Sequence, residues 1–465
     1  MTDPDAPGLD GWVAIVLAAG RGTRMRSKLP KVLHPVAGRP MMLHVCDTVR
    51  AAGIGRIVIV TADAEGEVAE VARTQVPGAI VAPQGDPLGT GHATLAARGA
   101  AGEAPLLLIL NADLPLITER TVRELTQRHL QEQAVLTFLT AYLEDPTGYG
   151  RVRRQNGRIQ GIVEESDADA VTRGQPEVNG GLYAAEAQWL WPVLAGLDPS
   201  PRGEVYLTDA IARAVEHPRG ADAYQVVESS EVQQVNTRVE LARAEQIMRE
   251  RIRRRVMLEG VTLVDPATTY IDAGVSVGAD TTLLPGVHLL GTTSVGGGCR
   301  IGPAAVVRDS RIADGCEIGT STIEGAELGE GVRVGPYSHL RPGARIGAEA
   351  RVGNYVEIKA SRVGARTRIG HFSYLGDADV GADVNIGAGT VTANYDGADK
   401  HRTAIGDRAF IGSDSILIAP VVVGADARTG AGAIVTRDVA PSALVLGAPA
   451  RAREIEARDE TGEGV

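Results

Sequence analysis

Aliphatic residues recur at every sixth position through much of the C-terminal half of the chain. One run is Leu328, Val334, Leu340, Ile346, Val352 and Ile358, and a second run with the same spacing is Ile405, Ile411, Leu417, Val423 and Val435, with Thr429 in the remaining place. Six residues suit one short strand and one tight turn, with the aliphatic side chain pointing inward. Three such units would close a triangular coil, so the period predicts a parallel β-helix.

The composition agrees with a core of stacked aliphatic side chains. The chain has 465 residues, of which 57 are glycine and only 3% are aromatic. Small residues let the chain turn at the corners of such a prism. A Gly-rich disordered segment is the alternative, but disorder would not keep an aliphatic residue in phase. Because a β-helix has flat outer faces, pockets are expected between packed prisms, and a homotrimer is the expected assembly.

The N-terminal half follows a different pattern. WVAIVLAA, RIVIVTA, APLLLIL and AVLTFLT are short apolar runs, separated by segments of helical length such as RPMMLHVCDTVRAAG. This alternation predicts an α/β domain with helices on both faces of a sheet. A helical spacing then follows, formed by Leu241, Ala244, Ile247, Met248 and Ile252. We expect an α/β domain over 1–237, an exposed connecting helix over 238–259, and a β-helix domain over 260–465 with a disordered tail from about residue 452.

Charge and cysteine content argue against several classes of function. The formal net charge of -11 gives no footprint for nucleic acid, and the basic run RERIRRR at 249–255 is interpreted as a solvated helix face. Cys46, Cys299 and Cys316 have no CxxC spacing and no even-numbered disulfide framework, so reduced thiols are expected. No apolar run approaches membrane-spanning length, and the N-terminus lacks a signal-peptide pattern. We expect a cytoplasmic protein that binds neither nucleic acid nor membrane.

The strand AIVLAA runs directly into the loop GRGTRMRSKLPKVL. Small residues at Ala18, Ala19 and Gly20 let backbone N–H groups approach a ligand, and Arg24 and Lys31 bring positive charge to the same loop. This favours a phosphate-binding loop, although its spacing matches neither of the two common glycine-rich phosphate motifs. On the glycines alone, a merely structural turn is an equal alternative.

The longer string LAAGRGTRM…LPK resembles the signature of the sugar-phosphate nucleotidyltransferases, which join a nucleoside triphosphate to a sugar 1-phosphate and release pyrophosphate. The resemblance implies a Rossmann-like mixed sheet, in which QGDPLGTGHA at 84–93 reads the uracil of UTP. It also implies that Asp113 and Asn236 hold Mg2+, although Asp113 alone is equally well interpreted as a turn acid at a strand end. The implied UTP-binding residues are Leu17, Ala18, Ala19, Gly20, Lys31, Gln84, Gly89 and Thr90.

Four further segments resemble the sugar-binding positions of that family. They are GYGRV with Gly150, IVEES with Glu164, VNGGLY with Asn179, and VNTR with Asn236. A sugar 1-phosphate is already a nucleophile, so the reaction needs positioning and charge neutralisation rather than a general base. The resemblance implies that Mg2+, Arg24 and Lys31 neutralise the repulsion between the anionic substrates and stabilise the leaving pyrophosphate.

A second cluster lies inside the repeat region. His371 follows the turn glycine of its repeat, so its side chain should point outward from the prism. A lone outward histidine is usually an ordinary surface residue, but Glu357, Lys359, Tyr374 and Asn385 also lie off the inward phase on neighbouring turns. The segment VTANYDGADKHRTA then interrupts the period directly after this group. The sequence therefore indicates a second site on the outer surface of the prism.

Both halves, in this order, resemble the family of bacterial bifunctional enzymes that combine N-acetylglucosamine-1-phosphate uridyltransferase with glucosamine-1-phosphate N-acetyltransferase. The second domain of that family is a left-handed β-helix, and the likeness covers residues 12–447. It implies that the C-terminal domain acetylates glucosamine 1-phosphate with acetyl-CoA. The N-terminal domain would then transfer UMP from UTP to the N-acetylglucosamine 1-phosphate so formed. The product, UDP-N-acetylglucosamine, would supply peptidoglycan and, where present, lipopolysaccharide synthesis.

This resemblance assigns roles in the second site residue by residue. His371 would be the general base that takes a proton from the glucosamine amine, and Glu357 would orient its imidazole. The implied ligands of glucosamine 1-phosphate are Arg341, Lys359, Tyr374 and Asn385, and the implied contacts of acetyl-CoA are Ala388, Asn394, Tyr395, Ser413 and Ala431. The interrupting loop is expected to help complete the acetyl-CoA site across a trimer interface.

Three positions depart from the family pattern. Asn111 stands where a tyrosine is common, Gly180 stands where a threonine is usual, and Ala448 occupies a place from which an arginine can reach the coenzyme phosphates. Arg451 is a candidate substitute for that arginine.

Two other functions compete with the bifunctional enzyme. One is a nucleotidyltransferase whose β-helix only oligomerises or regulates it, which gives no reason for His371, Glu357 and Lys359 to share a surface. The other is a non-catalytic assembly subunit, which predicts loss of Arg24, Lys31 or Asp113, and all three are present.

Overall fold

The structure, a computed structural model, describes residues 9–20, 22–200 and 203–453. The chain forms two compact units, of which the first ends at Met248 and the second begins at Arg249. The tail that was predicted to be disordered lies almost entirely outside the described residues.

The first unit is built on a mixed β-sheet. Its strands are β1 (Trp12–Leu17), β2 (Pro35–Val36), β3 (Arg39–Pro40), β4 (Arg56–Thr61), β5 (Ile80–Pro83), β6 (Leu106–Asn111), β7 (Leu136–Tyr142), β8 (Arg151–Gln155), β9 (Arg158–Val163), β10 (Glu177–Glu186) and β11 (Ala221–Gln225). The main sheet has the order β11-β7-β10-β6-β1-β4-β5, with β8 and β9 attached beside β10, and β2 pairs with β3. Strand β1 is parallel to β4 and β6, whereas β10 is antiparallel to β6 and β7.

Helices cover both faces of this sheet. They are α1 (Met41–Ala51), α2 (Glu67–Gln75), α3 (Thr90–Ala96), α4 (Arg98–Ala101), α5 (Glu119–Glu132), α6 (Ala170–Arg173), α7 (Ala187–Ala195) and α8 (Asp209–Glu216). Along β1, Ala14 and Val16 belong to one buried core and Val13 and Ile15 to another. Burial on both faces explains why the strands read as continuous apolar runs. The α/β domain predicted from these runs and the Rossmann-like mixed sheet implied by the resemblance are both confirmed.

A long helix, α9 (Arg238–Leu258), follows the sheet. Its start has a capping box, in which the Glu240 carboxylate accepts hydrogen bonds from the backbone N–H groups of Asn236 and Thr237, each at 2.7 Å. Ala244 is fully buried against Val36 and Met41 of the first unit. The cap therefore fixes the backbone of Asn236 where the helix begins.

The basic run in α9 was interpreted as a solvated helix face, but two of its arginine side chains are largely buried. The Arg249 side chain is only 11% exposed, and its guanidinium lies 3.1 Å from the Asp272 carboxylate. Arg253 is likewise 11% exposed and pairs with Glu250 at 2.7 Å. Arginine can cover apolar surface with its stem while its head group stays paired, so part of the run is structural.

The second unit is a left-handed parallel β-helix of hexapeptide repeats. Its strands are β12 (Thr262–Leu263), β13 (Tyr270–Ile271), β14 (Ser276–Val277), β15 (Thr282–Leu283), β16 (His288–Leu290), β17 (Ser294–Val295), β18 (Arg300–Ile301), β19 (Val306–Arg308), β20 (Arg311–Ile312), β21 (Glu317–Ile318), β22 (Thr322–Glu324), β23 (Glu327–Leu328), β24 (Arg333–Val334), β25 (His339–Leu340), β26 (Arg345–Ile346), β27 (Arg351–Val352), β28 (Glu357–Lys359), β29 (Arg362–Val363), β30 (Arg368–Ile369), β31 (Tyr374–Gly376), β32 (Ala378–Val380), β33 (Asn385–Ile386), β34 (Val391–Ala393), β35 (Thr403–Ile405), β36 (Phe410–Ile411), β37 (Ile416–Ile418), β38 (Val421–Val423), β39 (Arg428–Thr429), β40 (Ile434–Val435), β41 (Leu444–Leu446) and β42 (Arg451–Arg453).

Through most of the unit, each strand pairs with the strand three places further along the chain, so the strands form three sheets, which are the three faces of the prism. Face 1 runs β12-β15-β18-β21-β24-β27-β30-β33-β36-β39-β41-β42, face 2 runs from β13 to β40, and face 3 runs from β14 to β38. The in-phase aliphatic residues named from the sequence are all buried, with Ile358 and Ile411 at 0% exposure. The predicted β-helix and the inward direction of its repeats are confirmed.

The segment that interrupts the period forms a short hairpin between β34 and β35. Tyr395 and Lys400 pair as an antiparallel bridge, and the His401 imidazole lies 2.6 Å from the Asp396 carboxylate. The turn N–H groups and that histidine hold the pKa of Asp396 well below its usual range. The loop is thus held by its own contacts.

None of the helices in the described parts of the chain combines the length and the apolar character needed to cross a membrane.

Candidate active sites

A cavity of about 610 Å³ opens beside the carboxyl ends of β1 and β6. Carboxyl ends of parallel strands are the usual ligand-binding edge of an α/β sheet. The residues lining it include Leu17, Ala19, Gly20, Arg24, Lys31, Gln84, Gly89, Thr90, Asn111 and Asp113. The sequence-predicted UTP residues therefore meet in one place, apart from Ala18. Ala18 is buried and its N–H group donates to Val60 O at 2.8 Å, so its backbone serves the sheet.

Charged and amide side chains form a compact cluster in this cavity. The Lys31 Nζ lies 2.5 Å from Asp113 Oδ2 and 3.0 Å from Asn236 Oδ1. The Arg24 guanidinium donates to the same Asn236 oxygen at 3.0 Å. Two cations thus converge on the two side chains that the sequence proposed as metal ligands.

The oxygen atoms of this cluster fit a divalent cation. Asp113 Oδ1 is buried and has no hydrogen-bond partner among the described residues, although a buried carboxylate oxygen is costly to leave unpaired. Asp113 and Asn236 together offer hard oxygen ligands, which Mg2+ prefers, and a two-residue set leaves positions for water or phosphate oxygens. Within the described residues no group of three or more His, Cys, Asp or Glu side chains could hold a metal ion.

Two glycines, Gly89 in the wall of the cavity and Gly22 beside the wall residue Lys31, are required by close approach. Gly22 has φ of +57°, and a Cβ on it would lie 2.5 Å from Lys31 Cβ. Gly89 has φ of +101°, and a Cβ on it would lie 2.5 Å from Val205 O. At both positions the backbone is left-handed and a neighbouring residue lies so close that a Cβ atom would clash with it. Gly22 therefore permits the position of Lys31.

The loop predicted to read the base is held by internal hydrogen bonds. The Gln84 amide donates to Gly89 O at 3.1 Å and lies 3.2 Å from a ring nitrogen of His92. Thr90 Oγ1 accepts from Leu207 N at 3.0 Å. These contacts fix the shape of the loop before any nucleotide enters.

A smaller cavity of about 180 Å³ adjoins the first and shares Thr90 and Asn111 with it. Its lining includes Gly150, Glu164 and Asn179, three of the residues predicted to bind the sugar. The fourth, Asn236, belongs instead to the cluster around Lys31. Three of the residues predicted to bind the sugar thus line a small pocket beside the cavity that contains the residues predicted to bind UTP.

Polar side chains in the wall of the smaller cavity are held by their neighbours. Burial raises the pKa of the Glu164 carboxyl, while the Thr208 hydroxyl, which donates to it at 2.7 Å, partly offsets that effect. Asn179 is oriented by donating to the Tyr183 hydroxyl at 2.6 Å and by accepting from Gly181 N at 3.2 Å. The carboxyl and the amide are thus fixed where a sugar would enter.

Local packing explains one of the departures from the family pattern. A Cβ on Gly180 would lie 2.9 Å from side-chain atoms of both Leu139 and Val232. These aliphatic side chains fill the space that a threonine would need. Glycine at this position therefore fits the packing of the wall, and the wall offers no hydroxyl group here.

Sequence reasoning missed Tyr206 and Thr208 in this unit. Tyr206 lines both cavities, and Thr208 hydrogen-bonds Glu164. Both precede α8 in the stretch VYLTDA, which has no recognisable motif and reaches the site only through the fold.

In the β-helix, His371 lies on one line of stacked corners. Backbone hydrogen bonds run from Phe372 N to Asn354 O (3.2 Å), from Gly389 N to His371 O (2.8 Å), from Asp414 N to Ala388 O (2.7 Å) and from Gly432 N to Ser413 O (2.8 Å). These bonds define the corner column, which consists of Asn354, His371, Ala388, Ser413 and Ala431. Four of its five members were singled out from the sequence, and the structure places them in register.

The corner column suits an extended ligand. Neighbouring coils are about 4.8 Å apart, so the three steps from His371 to Ala431 cover about 15 Å. Ala388, Ser413 and Ala431 have small side chains, which leave the edge of the prism open. An unbranched chain could lie along this edge with its reactive end at the exposed His371 imidazole.

The structure gives Glu357 and His371 different hydrogen-bond partners. The Glu357 carboxylate lies 2.7 Å from the Arg341 guanidinium, on face 2. The His371 Nδ1 is instead hydrogen-bonded to Asn354 Oδ1. The corner geometry is the reason, because residues at equivalent corners of adjacent coils stack directly, whereas Glu357 is in register with Tyr374.

The four predicted ligands of glucosamine 1-phosphate do not share one face. Strand β28 holds both Glu357 and Lys359, and Tyr374 lies on the next strand of face 2, with Arg341 following β25. Asn385 lies in β33 on face 1, in register with Arg368. The outer surfaces of different faces of a prism diverge, so one chain alone does not bring Asn385 to the other three residues.

A lysine of the hairpin joins the face 2 group. The Lys400 ammonium lies beside Lys359 and, with a smaller contribution from Arg341, lowers the pKa of Lys359. Three cations in proximity favour an anion. Sequence reasoning missed Lys400, although its place in the segment that breaks the period was a usable signal.

The two hairpin residues predicted to contact acetyl-CoA differ in environment. Asn394 is only 7% exposed, and its amide donates to Asp377 Oδ2 at 2.5 Å. Tyr395 is 60% exposed, with its hydroxyl donating to Gly397 O at 2.7 Å. Asn394 thus anchors the hairpin to the prism, and Tyr395 is the member presented outward. Arg451, the candidate substitute at the coenzyme phosphates, is exposed in β42.

Comparison with known families defines the class of protein. Residues 14–175 match the MobA-like NTP transferase domain, and residues 325–360 match the bacterial transferase hexapeptide family of six repeats. With the sheet, the cation cluster and the β-helix described above, these matches define a transferase that joins a nucleotidyltransferase domain to a hexapeptide β-helix.

Several relatives match nearly the whole chain. The chain is 44% identical over 445 residues to the bifunctional protein GlmU of Pelobacter propionicus, a match that covers 94% of this chain and 96% of that protein. It is 43% identical to bifunctional protein GlmU of Exiguobacterium sibiricum, over 93% and 96% of the two chains, and 43% identical to that of Geobacter sulfurreducens, over 94% and 96%. The chain belongs to the GlmU family of bifunctional proteins.

Proposed function

We propose that the chain is a cytoplasmic enzyme that makes UDP-N-acetylglucosamine in two steps. The β-helix transfers an acetyl group from acetyl-CoA to the amine of glucosamine 1-phosphate. The N-terminal domain transfers UMP from UTP to the resulting N-acetylglucosamine 1-phosphate and releases pyrophosphate. The observation that supports the proposal most strongly is the presence in one chain of the Lys31–Asp113–Asn236 cluster and of the corner column with an exposed His371.

In the N-terminal cavity, the side chains bind and orient the two substrates and neutralise the charge of their phosphates. Asp113 and Asn236 would hold Mg2+, which when bound supplies a positive charge to the triphosphate. Arg24 and Lys31 bind the phosphates, so that the anionic oxygen of the sugar phosphate can approach the α-phosphorus against charge repulsion. Glu164 and Asn179 orient the sugar in the adjoining cavity.

On the β-helix, His371 is the general base. Its imidazole nitrogen takes a proton from the glucosamine amine as the nitrogen attacks the thioester carbonyl, and the thiolate of coenzyme A leaves. The pantetheine arm lies along Ala388, Ser413 and Ala431. Arg341, Lys359 and Lys400 bind the sugar phosphate, and Tyr374 contacts the sugar.

A homotrimer completes this second site. Since Asn385 lies on face 1 and Tyr374 on face 2, a site containing both needs a second copy of the chain. The exposed Tyr395 of the hairpin is available to the same neighbouring prism. Flat β-helix faces pack well in such symmetric assemblies.

Two assays test the proposal. Thiol release from acetyl-CoA should depend on glucosamine 1-phosphate, and pyrophosphate release from UTP should depend on Mg2+ and N-acetylglucosamine 1-phosphate. An Asp113→Ala variant should lose pyrophosphate release while keeping thiol release. A full rate of pyrophosphate release in that variant would refute the metal assignment. Absence of thiol release in the wild type would leave a nucleotidyltransferase with a structural β-helix.

A further inference from the structure

We propose that Asn354 is a positioning residue for the His371 imidazole, so that an amide and not a carboxylate orients the base of the acetyl-transfer site. The inference rests on the proposed role of His371 as general base, and it goes beyond that role by naming the residue through which the ring is held.

The direct contact determines which ring nitrogen is free. His371 Nδ1 and Asn354 Oδ1 form a hydrogen bond. An amide oxygen can only accept, so Nδ1 carries the proton and donates it. The neutral ring then has its lone pair on Nε2, which is the nitrogen left to accept a proton from a substrate amine. Asn354 thereby selects the tautomer that a general base requires.

Three further contacts fix the two corners against each other. The Phe372 N–H group donates to Asn354 O at 3.2 Å. The Tyr355 and Phe372 rings, each next in sequence to one member of the pair, stack with centroids 5.2 Å apart and planes 5° apart. Tyr337 extends the same stack on the other side of Tyr355, at 5.4 Å. Stacked rings at adjacent corners limit sliding between coils, so the amide stays opposite the imidazole.

The carboxylate expected to hold His371 is engaged elsewhere. Glu357 is paired with Arg341 at 2.7 Å, and its strand places it in register with Tyr374. A neutral amide gives orientation without adding a negative charge beside the ring. The base is therefore held in place by a neutral group.

The test uses full-length enzyme and steady-state acetyl transfer. Asn354→Ala should lower kcat by about 10- to 100-fold, because the ring loses the contact that orients it. The KM values for acetyl-CoA and glucosamine 1-phosphate should change by less than about threefold, because the amide touches neither substrate. Glu330→Ala, a change at an exposed position of the same β-helix, serves as the control and should leave both parameters unchanged.

A conservative variant separates positioning from structure. Asn354→Asp keeps an acceptor oxygen in the same place, so the rate should be largely recovered at alkaline pH. Since a carboxylate favours the protonated ring, the acid limb of the pH–rate profile should move to higher pH. The neighbouring charges of Arg341, Glu357 and Lys359 are common to all variants and do not account for such a movement.

The outcomes distinguish this inference from the function on which it rests. Wild-type kcat in Asn354→Ala, or a wild-type pH profile in a normally folded Asn354→Asp, overturns the positioning role. A His371→Ala variant with full rate overturns the general-base assignment instead. If Asn354→Ala is too unstable to assay, the Asn354→Asp profile alone decides.

Discussion

Lys31 Nζ lies 2.5 Å from Asp113 Oδ2 and 3.0 Å from Asn236 Oδ1. The ammonium group thus contacts one oxygen of each of the two side chains proposed to hold a divalent cation. Both side chains of the ion pair are almost completely buried, at 12% and 11% exposure. Lys31 is the ion-pair partner that compensates the Asp113 charge in this structure.

Lys31→Met should therefore destabilise the N-terminal domain by about 2–4 kcal/mol without Mg2+, because it leaves a buried carboxylate unpaired. Adding Mg2+ should raise the melting temperature of the variant more than that of the wild type, because binding to the native state stabilises it. Differential scanning calorimetry with and without Mg2+ measures both effects. Lys28→Met, at an exposed lysine of the same loop, is the control. An equal response to Mg2+ in Lys31→Met and wild type would contradict the exchange of lysine for metal.

Lys400 should contribute to binding of the sugar phosphate. Lys400→Ala is expected to raise KM for glucosamine 1-phosphate about 10-fold with little change in kcat, since one charge-assisted hydrogen bond is removed. Arg402→Ala removes another cation of the same hairpin, one that is paired with Asp379 at 3.0 Å, and should have a much smaller effect. Equal effects of the two variants would mean that only the net charge of the hairpin matters.

The Lys400 ammonium also affects the pH dependence of binding. Because it lowers the pKa of Lys359, the wild type loses the Lys359 charge at a lower alkaline pH than it would without that neighbour. In Lys400→Ala the decline in affinity for glucosamine 1-phosphate above neutral pH should begin at a higher pH. Binding measured by calorimetry at several alkaline pH values provides the comparison.

Glu164 should make stability depend on pH. Burial raises its folded-state pKa above the unfolded value, so the folded state prefers the protonated carboxyl. That stabilisation is fully present below the unfolded pKa and is lost as pH rises through the folded pKa. Glu164→Gln should therefore melt at a higher temperature than the wild type at neutral pH, and the difference should disappear in acid. The variant should also bind N-acetylglucosamine 1-phosphate more weakly. A melting difference that is the same at all pH values would exclude this explanation.

Subunit mixing tests whether Asn385 acts across an interface. His371→Ala and Asn385→Ala should each lack acetyl transfer alone, because each removes a residue from every site. Refolded or co-expressed mixtures should regain activity if the two residues of one site come from different chains. A mixture as inactive as its components would mean that both residues act within one chain.

The periods of the sequence predicted most of the architecture. Alternating apolar runs indicated β1, β4, β6 and β7, and the sixfold period indicated the inward residues of the β-helix, because both patterns report burial directly. The residues predicted to bind UTP, apart from Ala18, line one cavity, and their motifs are local and lie at strand ends. These features depend on neighbours in sequence.

The contacts that the sequence analysis did not predict join residues that are distant in sequence and close only in the folded chain. Asn354 meets His371 because the coil between them has 17 residues, and a sixfold count alone does not reveal where each corner falls. Lys400 reaches Lys359 only through the folded hairpin. Asn385 leaves face 2 because strand order assigns it to face 1. To predict which side chains lie within a few ångströms of each other, one must know the register between neighbouring coils. The repeat pattern determines that register only to within a residue or more.

The most direct test of two sites acting in sequence is pyrophosphate release in a single mixture of glucosamine 1-phosphate, acetyl-CoA, UTP and Mg2+. The wild type should release pyrophosphate only when acetyl-CoA is present. His371→Ala should release none until N-acetylglucosamine 1-phosphate is added, which should restore the wild-type rate, whereas Asp113→Ala should stay inactive with either sugar. Failure of N-acetylglucosamine 1-phosphate to restore His371→Ala, or acetyl-CoA-independent release by the wild type, would contradict two separate sites acting in sequence.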